Sequence, residues 1–518
     1  MSTLLQPAIW AMFGFIILGV LIGPLNNTCC LVGPDAAYKT IQSAVNAAPA
    51  GSTIVVFSGI YRETITINKP IRIVTANHTA FTSLVSKSRP LIQGYKEDQP
   101  VIDILVPNVI IQGFSIRGGQ VGIRVNTRRV QLMNNEITQG NIGILLEEAQ
   151  DVEITQSRIA DQKQIGVHIL NSEGITFQGN TVEKNPQGVR LEQTSKNVVR
   201  NNIFRHQTEQ AIHVIEAPTN ALVGNRFRGE TSGILLSDSP NTIMRNNELA
   251  SGSASFWVEG DVETAYEQDI DRSNTLGKRT MLYINGIRNK TFKSGLELGF
   301  LALVNASNIT LPNLNANNVP VGALLINSSD ITLTLSNFQS TRVGLLAIES
   351  DNISVSDSVI TSGQGNGLQF ENSSGVTIER MTISGNEGNG IHIVGGSDVI
   401  LQGNEIISNK SSGIWLEAVT EGTINDNILG GNEQYATSLL LTRDVTLHHN
   451  LIQANQTGLY LELAEANFIQ QNQIQQNQFG IFLKNAINNT IVDNDITLNP
   501  RGSIKGTLEN NTIEDNIE

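Results

Sequence analysis

Cysteine is nearly missing from this chain: Cys29 and Cys30 are the only two in 518 residues, and both precede the repetitive body. No disulfide framework and no cysteine metal site can therefore be built inside that body. Aromatic residues are scarce at 5 % and charged residues at 16 %. A set of ordinary globules with ring-filled cores is a poor match for that balance. Disorder is a poor match too, because 40 % of the residues are hydrophobic. Basic residues are outnumbered, 34 Lys and Arg against 48 Asp and Glu, for a net charge of −14. That excludes a general electrostatic grip on nucleic acid.

The N-terminus is the one long uncharged run. From Ala8 to Leu25 the chain reads AIWAMFGFIILGVLIGPL, long enough for the core of a signal peptide and borderline for a membrane span. No Lys or Arg precedes it and no small-x-small cleavage site follows. Residues 1–33 are thus read as either a signal peptide or an N-terminal membrane anchor. Both place the body outside the cytoplasm, at the cell surface or in the periplasm.

What the chain has in abundance is a period. The pattern Gly-apolar-x-apolar begins at Gly122, Gly143, Gly166, Gly188 and Gly233, with Ala211 standing in once. It resumes at Gly367, Gly390, Gly413, Gly458 and Gly480, at spacings close to 22 or 23 residues. A second series runs in step: Asn135, Asn180, Asn202, Asn225 and Asn247, with Ser157 filling a gap, then Asn404, Asn427, Asn450, Asn472, Asn494 and Asn516. Two series in phase over hundreds of residues are the signature of a solenoid. Alternating apolar residues in short runs make strands with one face inward. Coils stacked about 4.8 Å apart place equal positions above one another. The fold class expected is all-β, a single-stranded right-handed parallel β-helix with coils of about 22–23 residues. Gly and Asn are expected at the turns for their tolerance of left-handed backbone, and the Asn series is read as structural.

The segment Tyr38 to Ala48 reads as an amphipathic capping helix with Ile41, Val45 and Ala48 on one face, stopped by Pro49. The C-terminus shows no comparable cap and ends within a repeat. Between Asn247 and Leu314, which takes up the same register position, the pattern is irregular for close to three periods, and Gly299 and Gly322 suggest that register has resumed by 299. The organisation expected is a cap and first β-helix half over 34–260, an irregular insertion over 261–298, and a second half over 299–518.

The cap AYKTIQSAVNAAPAGSTIVVFSGIYRETITI and the segment DIDRSNTLGKRTMLYINGIRN, with Asp271, Asn274, Gly277, Lys278 and Tyr283 in place, resemble the NosD-like and CASH-type β-helix proteins. These are PbH1-repeat chains of the pectin-lyase-like superfamily. The resemblance implies carbohydrate binding or sugar hydrolysis. It also implies, by analogy alone, accessory work in copper-cofactor assembly beside an ABC transporter.

In enzymes of this general shape the substrate lies along one sheet, across outward side chains of successive coils. The x positions of the Gly pattern give Arg124, Leu145, His168, Arg190, His213 and Leu235 in the first half. With Glu192 two residues on from Arg190, the residues His168, Arg190, Glu192 and His213 form a polar patch able to supply a general base. Ordinary cross-coil pairing on a solvated face accounts for the same residues. The second half reads Gln369, His392, Trp415, Leu440, Tyr460 and Phe482, with Glu371, Glu417 and Glu462 alongside. His392, Trp415, Glu417, Tyr460 and Glu462 are the ligand-binding candidates, since rings flanked by hydrogen-bonding groups suit a sugar. A covering loop is the structural alternative.

Enzyme signatures are otherwise sparse. The Asp cluster of a polygalacturonase-type site and the Asp-Pro-His of alginate epimerases are both missing. No metal site or cofactor is evident: the six Met are scattered, and His168 and His213 sit two coils apart. The expectation is an exported β-helix binding polysaccharide or a surface protein along its sheet face. The alternatives are a polysaccharide lyase, epimerase or hydrolase, and a periplasmic accessory to copper assembly.

Overall fold

The computed structural model describes residues 27–76, 88–229, 233–252 and 254–518; the hydrophobic run at 8–25 lies outside them. Each coil carries three strands. One coil runs Val121–Val125, Val130–Met133 and Glu136–Thr138, and each strand pairs in parallel with its equivalent in the next coil. The result is an all-β, right-handed parallel solenoid of about 21 turns. The strand beginning at the Gly pattern is called the first strand below.

The core is a column of inward apolar side chains from all three strands. Ile144, Ile154 and Ile159 of one coil are fully buried. The cap is as expected. Helix α1 (Ile41–Ala47) buries Ile41, Ala44 and Val45, and Thr40 caps its start. The Glu63 carboxylate accepts from the amides of Ile41 and Gln42, and the Lys69 ammonium donates to the carbonyls of Asn46 and Ala48. Both ends of a very short helix are thereby satisfied from the coil beneath. The adjacent strand Thr28–Val32 carries Cys29 and Cys30, bonded to one another.

Left-handed tolerance turns out not to be what either series supplies. The left-handed residue is the one before the ladder position: Asn134 at φ 51°, Gly179 at 66°, Asn201 at 53° and Gly224 at 66°. The ladder Asn is there for its amide. The Asn427 backbone N–H donates to Asn450 Oδ1 at 3.0 Å, while its own Nδ2 donates to the Leu401 carbonyl at 2.8 Å and again to Asn450 Oδ1. The Gly of the repeat is required by space. A Cβ on Gly122 would stand 2.6 Å from the carbonyl oxygen of Gly143 in the next coil and 2.6 Å from the Ile137 side chain.

Every corner of the coil has such a ladder, not one. At the corner before the first strand it runs through Asn386, Asn409, Asn432, Asn455, Asn477 and Asn499. At the corner after the first strand it runs through Ser328, Ser350 and Ser373, and further on through Asn467, Asn489 and Asn511. These groups satisfy amides that strand pairing leaves over at the bends.

The middle of the chain resolves into a joint. Residues 269–270 and 275–276 still pair in register with the first stack, and Asn274 extends its Asn ladder from Asn247. A two-residue turn at Gly277 and Lys278, both with positive φ, then reverses the chain into Arg279–Asn285, which pairs antiparallel with Thr275–Leu276. That strand opens a second stack by pairing in parallel with Phe300–Val304. Residues 261–298 are thus the last part of one stack and the first coil of another. Ala302 pairs with Leu324, so Phe300, not Gly299, faces Gly322.

The outward side chains of the first coils of the second stack are apolar and buried: Ala302 0 %, Leu324 1 % and Leu346 6 % exposed. They lie against the end coil of the first stack. Phe300 meets the core ring of Phe256 edge-on at 4.8 Å, and the Arg342 guanidinium stacks on Trp257 at 4.3 Å. The Tyr283 hydroxyl donates to the Tyr266 carbonyl. The side of the second stack therefore closes the open end of the first.

Removing one ladder amide strands several buried partners at once. Asn427→Ala should lower stability by about 1–3 kcal/mol, read as a fall in the urea midpoint, whereas the exposed turn substitution Asp426→Asn should leave it near the parent value.

Candidate functional site

Two outward faces carry the candidate residues. On the first stack, strand pairing aligns Asp103, Arg124, Leu145, His168, Arg190, His213, Leu235 and Trp257 in one column. Asp103, missed in the sequence, holds Arg124 in a two-point ion pair at 2.9 and 2.6 Å. Arg124, in the same column as the patch, is therefore already neutralised.

The structure brings three of the four catalytic candidates together. His168 Nε2 donates to Glu192 Oε2 at 2.9 Å, and Arg190 Nε donates to the same oxygen at 2.8 Å. The Arg190 hydrogen bond holds the Glu192 carboxyl below its ordinary range. Burial lowers His168 below its usual value, against the pull of Glu192. The arrangement is a neutral imidazole oriented by an arginine-pinned carboxylate, with Nδ1 left as the basic nitrogen. His213 is placed apart: its Nε2 faces Ser237 Oγ at 3.2 Å, and its Nδ1 is buried with no hydrogen-bond partner among the described residues.

On the second stack the outward column runs Gln369, His392, Trp415, Ser438, Tyr460 and Phe482. Ser438 replaces the expected Leu440, which pairs instead with Glu417 and Glu462 in the neighbouring column. Counting the 23-residue period on from Trp415 would have found it. The short Ser438 is covered by Tyr435, a ring the sequence reading passed over. Tyr435 stacks on Tyr460 at 4.5 Å and lies 6.4 Å from Trp415.

The rings then form one unbroken strip. His392 meets Trp415 at 6.3 Å, and Phe482 stacks on Tyr460 at 6.0 Å. All stay half-exposed. Of the three carboxylates in the next column, Glu371 accepts from Gln369 at 2.6 Å, and the other two are tied to the ring beside them. Tyr460 donates to Glu462 at 2.7 Å, and Trp415 Nε1 points to Glu417 at 3.4 Å. Lys484 also pairs with Glu462 at 2.7 Å. Burial is the largest cause of the lowered His392 value and of the Tyr460 hydroxyl's rise to about 12. Among the described residues, no three His, Cys, Asp or Glu are grouped to hold a metal ion.

A family described as right-handed beta helix region matches residues 106–249 and 321–474, over half of the chain. The chain belongs to that family. The two matched blocks fall one on each stack, either side of the joint. No curated protein sequence matches this β-helix chain. Among solved structures it is similar to a periplasmic alginate epimerase, AlgG, at 11 % identity and a TM-score of 0.35, over 62 % of this chain and 77 % of that one. It is also similar to the Aspergillus niger pectin methylesterase, at 12 % and 0.31, over 50 % and 87 %. A third is the A-module of the Azotobacter vinelandii mannuronan C-5 epimerase AlgE6, at 10 % and 0.26, over 92 % of each.

Burial pushes the His213 ring from 6.5 down to about 4, with Arg190 adding to it. A folded-state value below the unfolded one means that stability is full above pH 6.5 and is lost as pH falls toward 4. Ring-proton NMR should therefore show His213 still neutral at pH 5. A midpoint near 6.5 would contradict the burial described.

Proposed function

We propose that this protein binds a polysaccharide along the aromatic strip of the second stack, with the glycan crossing the coils. The observation that carries the reading is the continuous half-exposed strip from His392 to Phe482, with Glu417 and Glu462 tied to its rings. Tyr435, Tyr460 and Phe482 stack on one another, so they offer a glycan a stripe of ring edges against which the apolar faces of sugars pack, while adjacent carboxylates accept hydroxyl hydrogen bonds. Successive coils lie about 4.8 Å apart, so a chain laid along the axis meets a new ring at each step. Carboxylates on this face select an uncharged glycan over a polyuronate. The hydrophobic run at 8–25 favours an exported or surface-anchored setting, as in the NosD-like proteins the sequence resembles.

A second reading has its own support. The pinned, neutral His168 is suited to abstracting a proton from a sugar, which would make the first stack a lyase or epimerase face.

The full chain, titrated with neutral and uronate polysaccharides, should bind a neutral one. Trp415→Ala or Tyr460→Ala should weaken that binding by about tenfold, the equivalent of 1.4 kcal/mol. Equal binding by the parent and both variants would remove the strip from the account. Cleavage or epimerisation of any glycan, lost in His168→Gln, would establish the second reading.

A further inference from the structure

A third face, used by neither reading, carries at Arg228 a positive charge without a matching carboxylate on the neighbouring coil. It is the third-strand sheet of the first stack, next to the joint. There Ile203–Arg205 pairs with Arg226–Arg228, which places Arg205 directly opposite Arg228 on adjacent coils. Like charges directly opposite one another repel. Neither guanidinium has an ion pair or side-chain hydrogen bond among the described residues. Arg226, one column over, is the exception: it pairs with Glu248 at 3.3 Å.

The shape fits the charge. Phe227 and Leu249 point inward, and beyond Arg228 the same outward row continues into Ala250 and then the Gly277 turn. Two small residues following an arginine leave a hollow. It is lined by Arg226, Arg228, Asn246, Ser273, Thr275 and Lys278, with Ala250 and Gly277 among the remaining wall. Lys278 is exposed at the tip of the reversing turn and likewise has no acidic partner among the described residues. Glu248 is the one carboxylate in the lining, and Arg226 already neutralises it. Arg228 and Lys278 therefore face the hollow with uncompensated charge, beside the Thr275 hydroxyl and the Asn246 side-chain amide, while the Ser273 hydroxyl already donates to Asp271.

We infer that this hollow is an anion-binding site that takes an oxyanion group, a carboxylate or a sulfate ester, borne on a polysaccharide. An oxyanion between Arg228 and Lys278 would relieve the Arg205–Arg228 repulsion and accept charge-assisted hydrogen bonds from two sides. The aromatic strip disfavours the same groups through Glu371 and Glu417, which unlike Glu462 have no cationic partner among the described residues. The protein would then have two faces of opposite preference on its two stacks. The inference does not depend on the aromatic strip.

The test uses the full chain and three probes in calorimetric titration: a uronate oligosaccharide, a sulfated oligosaccharide and an uncharged one. At least one charged probe should bind, and its affinity should fall as salt is raised. Arg228→Gln and Lys278→Gln should each weaken that binding by about tenfold, as expected for one lost charge-assisted contact. Trp415→Ala should leave it unchanged, which separates failure of this site from failure of the strip. Whichever of the two charged probes binds identifies the group as carboxylate or sulfate. Both positions are exposed, so the variants should fold like the parent, with matching circular dichroism. Failure of both charged probes to bind would overturn the inference, and so would binding that survives the Arg228→Gln, Lys278→Gln double variant.

Discussion

The structure depends on the hydrogen bond that a buried side-chain amide makes to the coil above it. Strand pairing satisfies the flat walls of a coil, but at each bend the backbone turns away from its neighbour and leaves an amide over. A buried amide without a partner costs about 1–3 kcal/mol, and every coil has three bends. Asn, Gln or Ser at those bends removes the cost. Because Asn427 both donates to Asn450 and accepts from Asn404, each link also fixes the height and register of the next. An outward side chain thereby stands directly over its equivalent. A row of rings or charges becomes a surface because the ladders beneath allow no slip.

The joint follows from the same physics. A solenoid end exposes core rings and unpaired strand edges. At the N-terminus, α1 meets this need. At the other end of the first stack, the chain reverses at Gly277 and Lys278 and lays the side of a second stack over Phe256. Ala302, Leu324 and Leu346 are apolar on their outward face for this reason, and the column turns polar and aromatic at Gln369, where its outward side chains emerge. Closing one stack and displaying a strip are successive parts of one column.

The fold was legible because its period is. Inward apolar residues, the Gly close approach and the Asn series all recur at 22 or 23 residues, so a chain that repeats its chemistry reveals its coil. The two ladders at the other corners carry the same period. In the first half Gln162, Asn185 and Gln207 blur the series before the first strand, whereas the second-half run from Asn386 to Asn499 is all Asn and was legible by the same counting. The joint was illegible for a different reason: outward Leu324 and Leu346 look in sequence like inward ones, and only a partner surface distinguishes them. In the aromatic strip His392, Trp415 and Tyr460 were readable by counting. Tyr435 was not, since it reaches into the column from the start of its strand to cover Ser438. The link from His168 to Glu192 spans 24 residues, one coil plus a step along the strand, which residue spacing suggested and side-chain geometry completed.

The claim underlying all of this is that bend amides are locked as firmly as strand amides. Amide hydrogen exchange measures that directly at Asn404, Asn427, Asn450 and Asn472, whose backbone N–H groups donate to side-chain oxygens of the next coil at 2.9 to 3.0 Å. The account predicts exchange at these four positions as slow as at the flanking strand residues Leu401, Ile424 and Leu447. Fast, loop-like exchange at the Asn positions beside protected strands would contradict it.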